Sequence, residues 1–240
     1  TAIVTGGGSG FGAGIADLFS KNGATVIVAD INIESAKNIA NQVGGMPVEV
    51  DVSDAKSVEA MKNTILEKNT KIDILINNAG TTHLPAPMET ISENEFDKVF
   101  KVNCKSVYLM AKEFVPHFKE NKSGVILNVA STAGVSPRPN LNWYNASKGW
   151  MILASKTMAV ELAPFGIRVN VINPVAGETP LLKSFLGEDT PEMRAKFLST
   201  IPLGRFSLPA DIAAAAMFLC SDSASMITGT SLEIDGGRTI

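Results

Sequence analysis

The chain is poor in cysteine, poor in aromatics and free of long runs of one charge. Its two cysteines, Cys104 and Cys220, have no metal-ligand spacing and allow at most one bridge. They read as reduced core thiols of a cytoplasmic protein, and no metal site is expected. No apolar run reaches about 18 residues, so no membrane span is expected. The net charge is −3 and no basic cluster stands out, which argues against nucleic acid or an anionic membrane as partner. No signal peptide is recognised. The chain opens at Thr1-Ala2-Ile3-Val4, without Met and already inside an apolar run, which points to residues that precede it.

What is present suits a globular protein with a well-filled core: 45% of the 240 residues are hydrophobic and 19% charged. Short β-branched apolar runs at 2–4, 24–29, 46–50, 72–76, 125–129, 167–172 and 231–234 alternate with helical patterns, and no linker or repeat interrupts them. That alternation predicts one doubly wound α/β domain over residues 1–240, with a sheet of seven parallel strands and helices on both faces. Helices are expected at 33–42, 54–68, 92–118, 143–163 and 209–220. Residues 178–200 are broken by Pro180, Gly187 and Pro191 into two short amphipathic pieces. They read as a segment lying over a pocket, or as an ordinary surface excursion.

The first strand runs into Thr5-Gly6-Gly7-Gly8-Ser9-Gly10-Phe11-Gly12, and an apolar helical face follows. Strand, glycine turn and helix together bring backbone N–H groups and a helix N-terminus to a pyrophosphate, although a flexible turn would look similar. Asp30 closes the second strand, where a carboxylate can accept from ribose hydroxyls and repel a 2′-phosphate. Ser9 is neutral and the glycine turn holds no Arg or Lys, so NAD is favoured over NADP. The plain alternative for Asp30 is the N-cap of the next helix. Asn77-Asn78-Ala79-Gly80 follows the fourth strand, where ligands bind in open sheets or where amides fasten neighbouring strands. His83 reads as a solvated loop residue, His117 as a surface residue at a helix end, and Asn103 as a polar residue inside an apolar pattern.

Asn142-Trp143-Tyr144-Asn145-Ala146-Ser147-Lys148 carries the chemistry. In a helix, Tyr144 and Lys148 share a face one turn apart. A free phenol ionises near about 10, and a neighbouring ammonium is expected to lower that value and make an acid/base pair. A solvated helix face is the alternative for the pair alone. Ser131, after the fifth strand, could hydrogen-bond a substrate oxygen beside Tyr144, or could merely cap a turn.

Taken together, Thr5-Gly6-x-x-x-Gly10-x-Gly12, Asp51-Val52, Asn77-Asn78-Ala79-Gly80, Asn103, Ser131, Tyr144-x-x-x-Lys148 and Asn173-Pro174 resemble the short-chain dehydrogenase/reductase family over essentially the whole chain. The resemblance implies Tyr144 as acid/base and Lys148 as the group that lowers its pKa and holds a nicotinamide ribose. It implies that Ser131 orients the substrate carbonyl and that Asn103 supports a water. It implies a cofactor site of Gly6, Ser9, Gly10, Phe11, Gly12, Asp30, Asp51, Val52, Asn78, Ala79, Gly80, Tyr144, Lys148, Pro174 and Thr179. The family usually has Gly after Asn-Pro; here Val175 stands there, with Gly177 where a branched residue is common. Members resembled over 173–182 and 202–205 are 3-oxoacyl-carrier-protein reductases, glucose dehydrogenases and secondary-alcohol dehydrogenases. The activity implied is NAD-dependent interconversion of a ketone and a secondary alcohol; an idle NAD-binding regulator on the same fold is the rival.

Leu84, Leu141, Trp143, Leu181, Leu182, Phe185 and Leu186 are the expected pocket lining, an apolar set suited to a hydrophobic or aromatic ketone. Residues 211–220 are apolar nearly all round, and Phe114, Trp150, Met151 and Met158 extend the apolar faces of two long helices. This surplus predicts a homotetramer, one contact joining the helices that begin at Ser92 and Trp143 and another the helix from Asp211 and the last strand.

Overall fold

The computed structural model describes residues 1–68 and 71–240. Among them, β1 (Ala2–Thr5), β2 (Val26–Asp30), β3 (Met46–Glu49), β4 (Ile74–Asn77), β5 (Gly124–Val129), β6 (Ile167–Pro174) and β7 (Ser231–Ile234) form one sheet. All neighbours pair parallel, in the order β3-β2-β1-β4-β5-β6-β7. The seven parallel strands and the helices on both faces are as predicted. The order reverses between β1 and β4, so their C-terminal ends diverge into a crevice.

Alternate residues of each strand feed two cores. Ala2, Val4, Val26, Val28 and Ile76 meet α1 (Gly10–Lys21), α2 (Ile33–Val43) and α9 (Pro209–Cys220) on one face. Ile3, Ile27, Leu75 and Ile126 meet α3 (Ala55–Leu66), α5 (Ser106–Asn121) and α6 (Asn142–Leu162) on the other. Strands buried on both faces have to be apolar throughout, which is why these runs were readable.

Four expectations need correction. The helix expected over 92–118 is α4 (Glu93–Phe100), then a π-helical turn over Lys101–Lys105, then α5. Ser92 and Glu95 form a capping box that starts it, and the wide turn carries the fully buried Asn103. His83 is buried rather than solvated, with Nδ1 2.8 Å from the Leu84 carbonyl oxygen. His117 is half-buried and accepts from the Ile72 N–H at 3.2 Å, a tie to the chain entering β4 that no dipole argument supplies. Phe114 and Met151 are core residues, because α5 and α6 turn them towards the sheet; Trp150 remains on the surface.

Buried polar contacts seat α6. Asn77 Nδ2 donates to Asn128 Oδ1 at 2.8 Å, Asn128 Nδ2 donates to Ser155 Oγ at 2.7 Å, and the Ser155 hydroxyl donates to the Met151 carbonyl at 2.7 Å. The chain of donors runs from β4 through β5 into the middle of the helix. Residues 178–207 carry α7 (Leu182–Leu186) and α8 (Pro191–Leu198) over a small separate core of Val175, Leu182, Leu186, Phe197, Ile201 and Phe206.

Candidate active site

The crevice at the C-terminal ends of the strands opens into a cavity of about 600 Å³. One end is built from backbone. Gly6 has φ +61, and a Cβ there would lie 3.0 Å from Ala79 Cα. Gly12 does not line the cavity; a Cβ on it would sit 2.1 Å from the Gly6 carbonyl oxygen, so its smallness lets α1 close onto the turn. Thr5 Oγ1 accepts from the Asn78 and Ala79 N–H groups at 3.0 and 3.1 Å, and Asn78 Nδ2 donates to the Thr5 carbonyl at 2.9 Å. β1 and β4 are thereby locked where they part. Asn78 does fasten strands, and it lines the cavity as well.

Ser9 precedes α1 without a side-chain cap, and the first turn of α1 carries no acidic residue. The positive end of the helix is thus left for an anion. Asp30 lines the cavity at the end of β2, its carboxylate held by the Gly8 N–H at 2.9 Å and the Asn32 N–H at 3.0 Å. It is not the cap of α2; Asn32 is. Asp51 and Val52 line the wall after β3, with Asp51 Oδ1 accepting from the Ser53 N–H and hydroxyl. Ser9, Gly10, Phe11, Ala79, Gly80, Pro174 and Thr179 complete this part. Val175 is an anchor of the small core under residues 178–207, and Gly177 gives room to the Phe11 ring, 2.4 Å from where its Cβ would be. Thr179 still reaches the cavity beside Gly10.

The other end is built from side chains. Ser131, Tyr144 and Lys148 face the cavity together. Tyr144 is buried, and Phe185 packs edge-on against its ring at 5.1 Å. Lys148 is 4% exposed, donates to the Val129 carbonyl at 3.0 Å, and lies 5.9 Å from the Tyr144 ring centroid. Among the described residues that carbonyl is its one acceptor, so an ammonium with three donors keeps capacity turned to the cavity. Asn103 does not reach the cavity. Its amide accepts from the Thr81 N–H and donates to the Thr81 carbonyl and Ser147 Oγ, each at 2.9 Å, while the Ser147 hydroxyl donates to the Tyr144 carbonyl at 2.7 Å. The Asn103 side chain thus ties the π turn to the loop after β4 and to α6.

The electrostatics differ from expectation. Burial pushes the Tyr144 phenol up to about 12, while the Ser131 hydroxyl and the Arg138 guanidinium pull it back. Burial pushes Lys148 down to about 8. Desolvation outweighs the pull of Ser131 and Arg138, and Lys148 does not bring the expected lowering, so without ligand Tyr144 is held as a phenol.

The pocket lining is also different. Leu141, Leu181 and Phe185 line the cavity, but Leu84 is exposed, Trp143 packs on Phe96, Leu182 belongs to the small core, and Leu186 lines a neighbouring cavity. Reading the sequence missed Arg138, Phe197 and Arg238, which line the same cavity. Arg138 was findable, since it stands between Pro137 and Pro139 just before Leu141, and so was Phe197, which lies in the 178–200 segment read as covering a pocket; Arg238 arrives from beyond the last strand.

A family model described as enoyl-(acyl carrier protein) reductase matches residues 6–239. The chain is 49% identical to 4-formylbenzenesulfonate dehydrogenase of Comamonas testosteroni, covering 100% of this chain and 97% of that one. It is 38% identical to a 3-oxoacyl-[acyl-carrier-protein] reductase of Thermotoga maritima, covering 99% and 97%. The crystal structure of a 3-ketoacyl-(acyl-carrier-protein) reductase from Brucella melitensis, complexed with NADH, superposes with a TM-score of 0.95 at 49% identity, covering 100% and 98%. A parallel sheet with its cavity at the switch point is the arrangement of doubly wound α/β proteins that bind ligands at the strand ends. The chain belongs to the short-chain dehydrogenase/reductase family and is an oxidoreductase.

The phenol's raised pKa has a direct consequence. A difference titration of wild type against Tyr144→Phe, read as phenolate absorbance, should show no ionisation of Tyr144 at pH 9–10 in the ligand-free protein. A phenolate signal at pH 9 would contradict burial as the dominant influence.

Proposed function

We propose that this chain is an NAD(H)-dependent oxidoreductase that interconverts a ketone and a secondary alcohol. The observation that carries the reading is the buried, protonated Tyr144 beside Ser131, one helical turn from a buried Lys148, all facing one cavity. The residues present fit a dinucleotide: an uncapped helix N-terminus, a glycine turn that a Cβ would obstruct, Asp30 at the tip of β2 and the free donors of Lys148. Gly6, Ser9, Gly10 and Phe11 would hold the pyrophosphate side, Asp30 the adenosine ribose, Asp51 and Val52 the adenine side, and Asn78, Ala79, Gly80, Lys148, Pro174 and Thr179 the nicotinamide half. Gly12 acts by packing.

NADH when bound supplies a hydride for the carbonyl carbon. In reduction the Tyr144 O–H donates its proton to the carbonyl oxygen as negative charge gathers there. The Ser131 hydroxyl donates a hydrogen bond to the same oxygen. The Lys148 ammonium, held by Val129, favours the phenolate left behind. Oxidation reverses these steps, with Tyr144 as base. Residues 178–203 cover the substrate. Reduction of a 3-oxoacyl thioester on the same site is the second reading, favoured by the names of two relatives and by the apolar walls Leu141, Leu181 and Phe185. Buried free cysteines are in keeping with a cytoplasmic setting.

We further infer a homotetramer. Phe100, Tyr108, Trp150, Leu153 and Val160 are exposed on α4, α5 and α6; Phe218 and Leu232 are exposed on α9 and the edge strand β7. These are two separate apolar surfaces that a second and third copy would cover.

Tyr144→Phe should lower turnover of any accepted ketone by at least about 100-fold while NADH binding, followed by fluorescence, stays near wild type; turnover retained in that variant would exclude the assignment. Wild type should show higher kcat/KM with NADH than with NADPH, and Asp30→Ala should narrow that gap; a wild-type preference for NADPH would overturn the role given to Asp30. Light scattering at micromolar concentration should give about four times the 25.4 kDa chain mass, whereas a mass near one chain would reject the tetramer.

A further inference from the structure

The substrate end of the cavity holds two cations that hydride transfer leaves without a role. Arg138 stands on the loop before α6 and Arg238 on the turn after β7, and both are half-buried. Each guanidinium carbon lies 4.7 Å from the centroid of the buried Phe197 ring, so one aromatic residue gathers both charges. Among the described residues neither forms an ion pair. Arg194 and Arg205, by contrast, each grip a carboxylate through paired bonds, Arg194 to Asp189 and Arg205 to Asp211. Arg238 donates to Thr200 Oγ1. The acid nearest it in sequence, Asp235, accepts instead from the N–H groups of Gly237 and Thr239 and from the Thr239 hydroxyl. The Arg138 backbone is fixed by Asn145 Nδ2, which donates to its carbonyl at 2.7 Å.

The surroundings sharpen the asymmetry. A second cavity of about 340 Å³ adjoins the first, and Arg138, Phe185, Phe197 and Arg238 are common to both. Lys196 adds a third cation to the second cavity, and among the described residues no Asp or Glu lines it. Among the described residues the acids that line the main cavity are Asp30, the last residue of β2, and Asp51, just after β3, at the end away from Tyr144. Burial lowers the pKa of both arginines; Asp235 offsets this in part at Arg238 through space, and neither guanidinium has a carboxylate in ion-pair contact among the described residues. The planar guanidinium fork matches carboxylate and sulfonate oxygens. Arg138 and Tyr144 line the same cavity, and Arg138 is within electrostatic reach of Tyr144.

We propose that the substrate carries an anionic group, a carboxylate or a sulfonate, on the end remote from its carbonyl, and that Arg138 and Arg238 bind it. This rests on the oxidoreductase reading and makes it more specific: an apolar or aromatic body lies between Tyr144 and the arginine pair, along Leu141 and Phe185.

The test compares four para-substituted ketones with NADH: acetophenone, 4-acetylbenzoate, 4-acetylbenzenesulfonate and the 4-trimethylammonium analogue. With wild type, kcat/KM for at least one anionic ketone should exceed that for acetophenone tenfold or more, mainly through KM, with the cationic ketone poorest. The anionic-to-neutral ratio should fall at least tenfold in Arg138→Met and in Arg238→Met, and the Lys variants should recover part of it. A ratio near one in wild type, or one unchanged in both Met variants, overturns the proposal. Carboxylate against sulfonate is decided by which of the two anions has the higher kcat/KM. Should none of the ketones turn over, what fails is the proposed reduction of ketones with NADH and not the anion site. The anion site is then read by thermal shift with 4-acetylbenzenesulfonate: a rise in midpoint that both Met variants lose supports it, and no rise in wild type overturns it.

Discussion

The geometry of this site depends on how α6 is seated. The helix carries Tyr144 and Lys148, and its low amphipathicity means that apolar packing alone would not fix its rotation. Buried hydrogen bonds do. Ser155 is tied to Asn128 and through it to Asn77; Ser147 is tied to Asn103; Lys148 is tied to the Val129 carbonyl. The Ser131 turn closes on the same helix so tightly that a Cβ on Gly134 would lie 2.7 Å from the Lys148 carbonyl carbon. Each buried polar group left unpaired would cost about 1–3 kcal/mol, so one rotation of the helix satisfies the set and others do not.

Charge is arranged along the cavity in a similar way. Carboxylates of Asp30 and Asp51 line the wall at β2 and β3, and the phenol and hydroxyl of Tyr144 and Ser131 line the same cavity as the guanidinium groups of Arg138 and Arg238. Burial holds Tyr144 as a phenol and pushes the Lys148 ammonium down to about 8. The same dry surroundings strengthen any field that acts on the reacting oxygen.

Much of this was legible from residues near one another in the chain. The strands could be read because a doubly buried strand has to be continuously apolar, and the glycine turn because a strand, a short turn and a helix follow in sequence. What was not legible depends on contacts between distant segments. The π turn at Lys101–Lys105 keeps the helical pattern of its flanks and differs only in how it aims Asn103. Phe114 and Met151 look like surplus apolar faces until the sheet is seen beneath them. Leu84 and Trp143 share a composition with true lining residues, and Arg138 and Arg238 meet only because Phe197, on a third segment, lies between them. The effect of Lys148 on Tyr144 was overestimated because spacing along a helix gives proximity and says nothing of burial.

The central claim is that α6, fixed by its buried polar contacts, presents Tyr144 and Lys148 beside Ser131, in the turn after β5, to one reacting centre. A crystal structure with NADH and a bound ketone tests it most directly. The account expects the ketone oxygen within hydrogen-bond distance of both the Tyr144 and Ser131 hydroxyls, with the Lys148 ammonium on the nicotinamide ribose and the Asn128–Ser155 bond intact. A ketone bound with its oxygen away from Tyr144, or an α6 rotated so that Lys148 leaves the cavity, would contradict it.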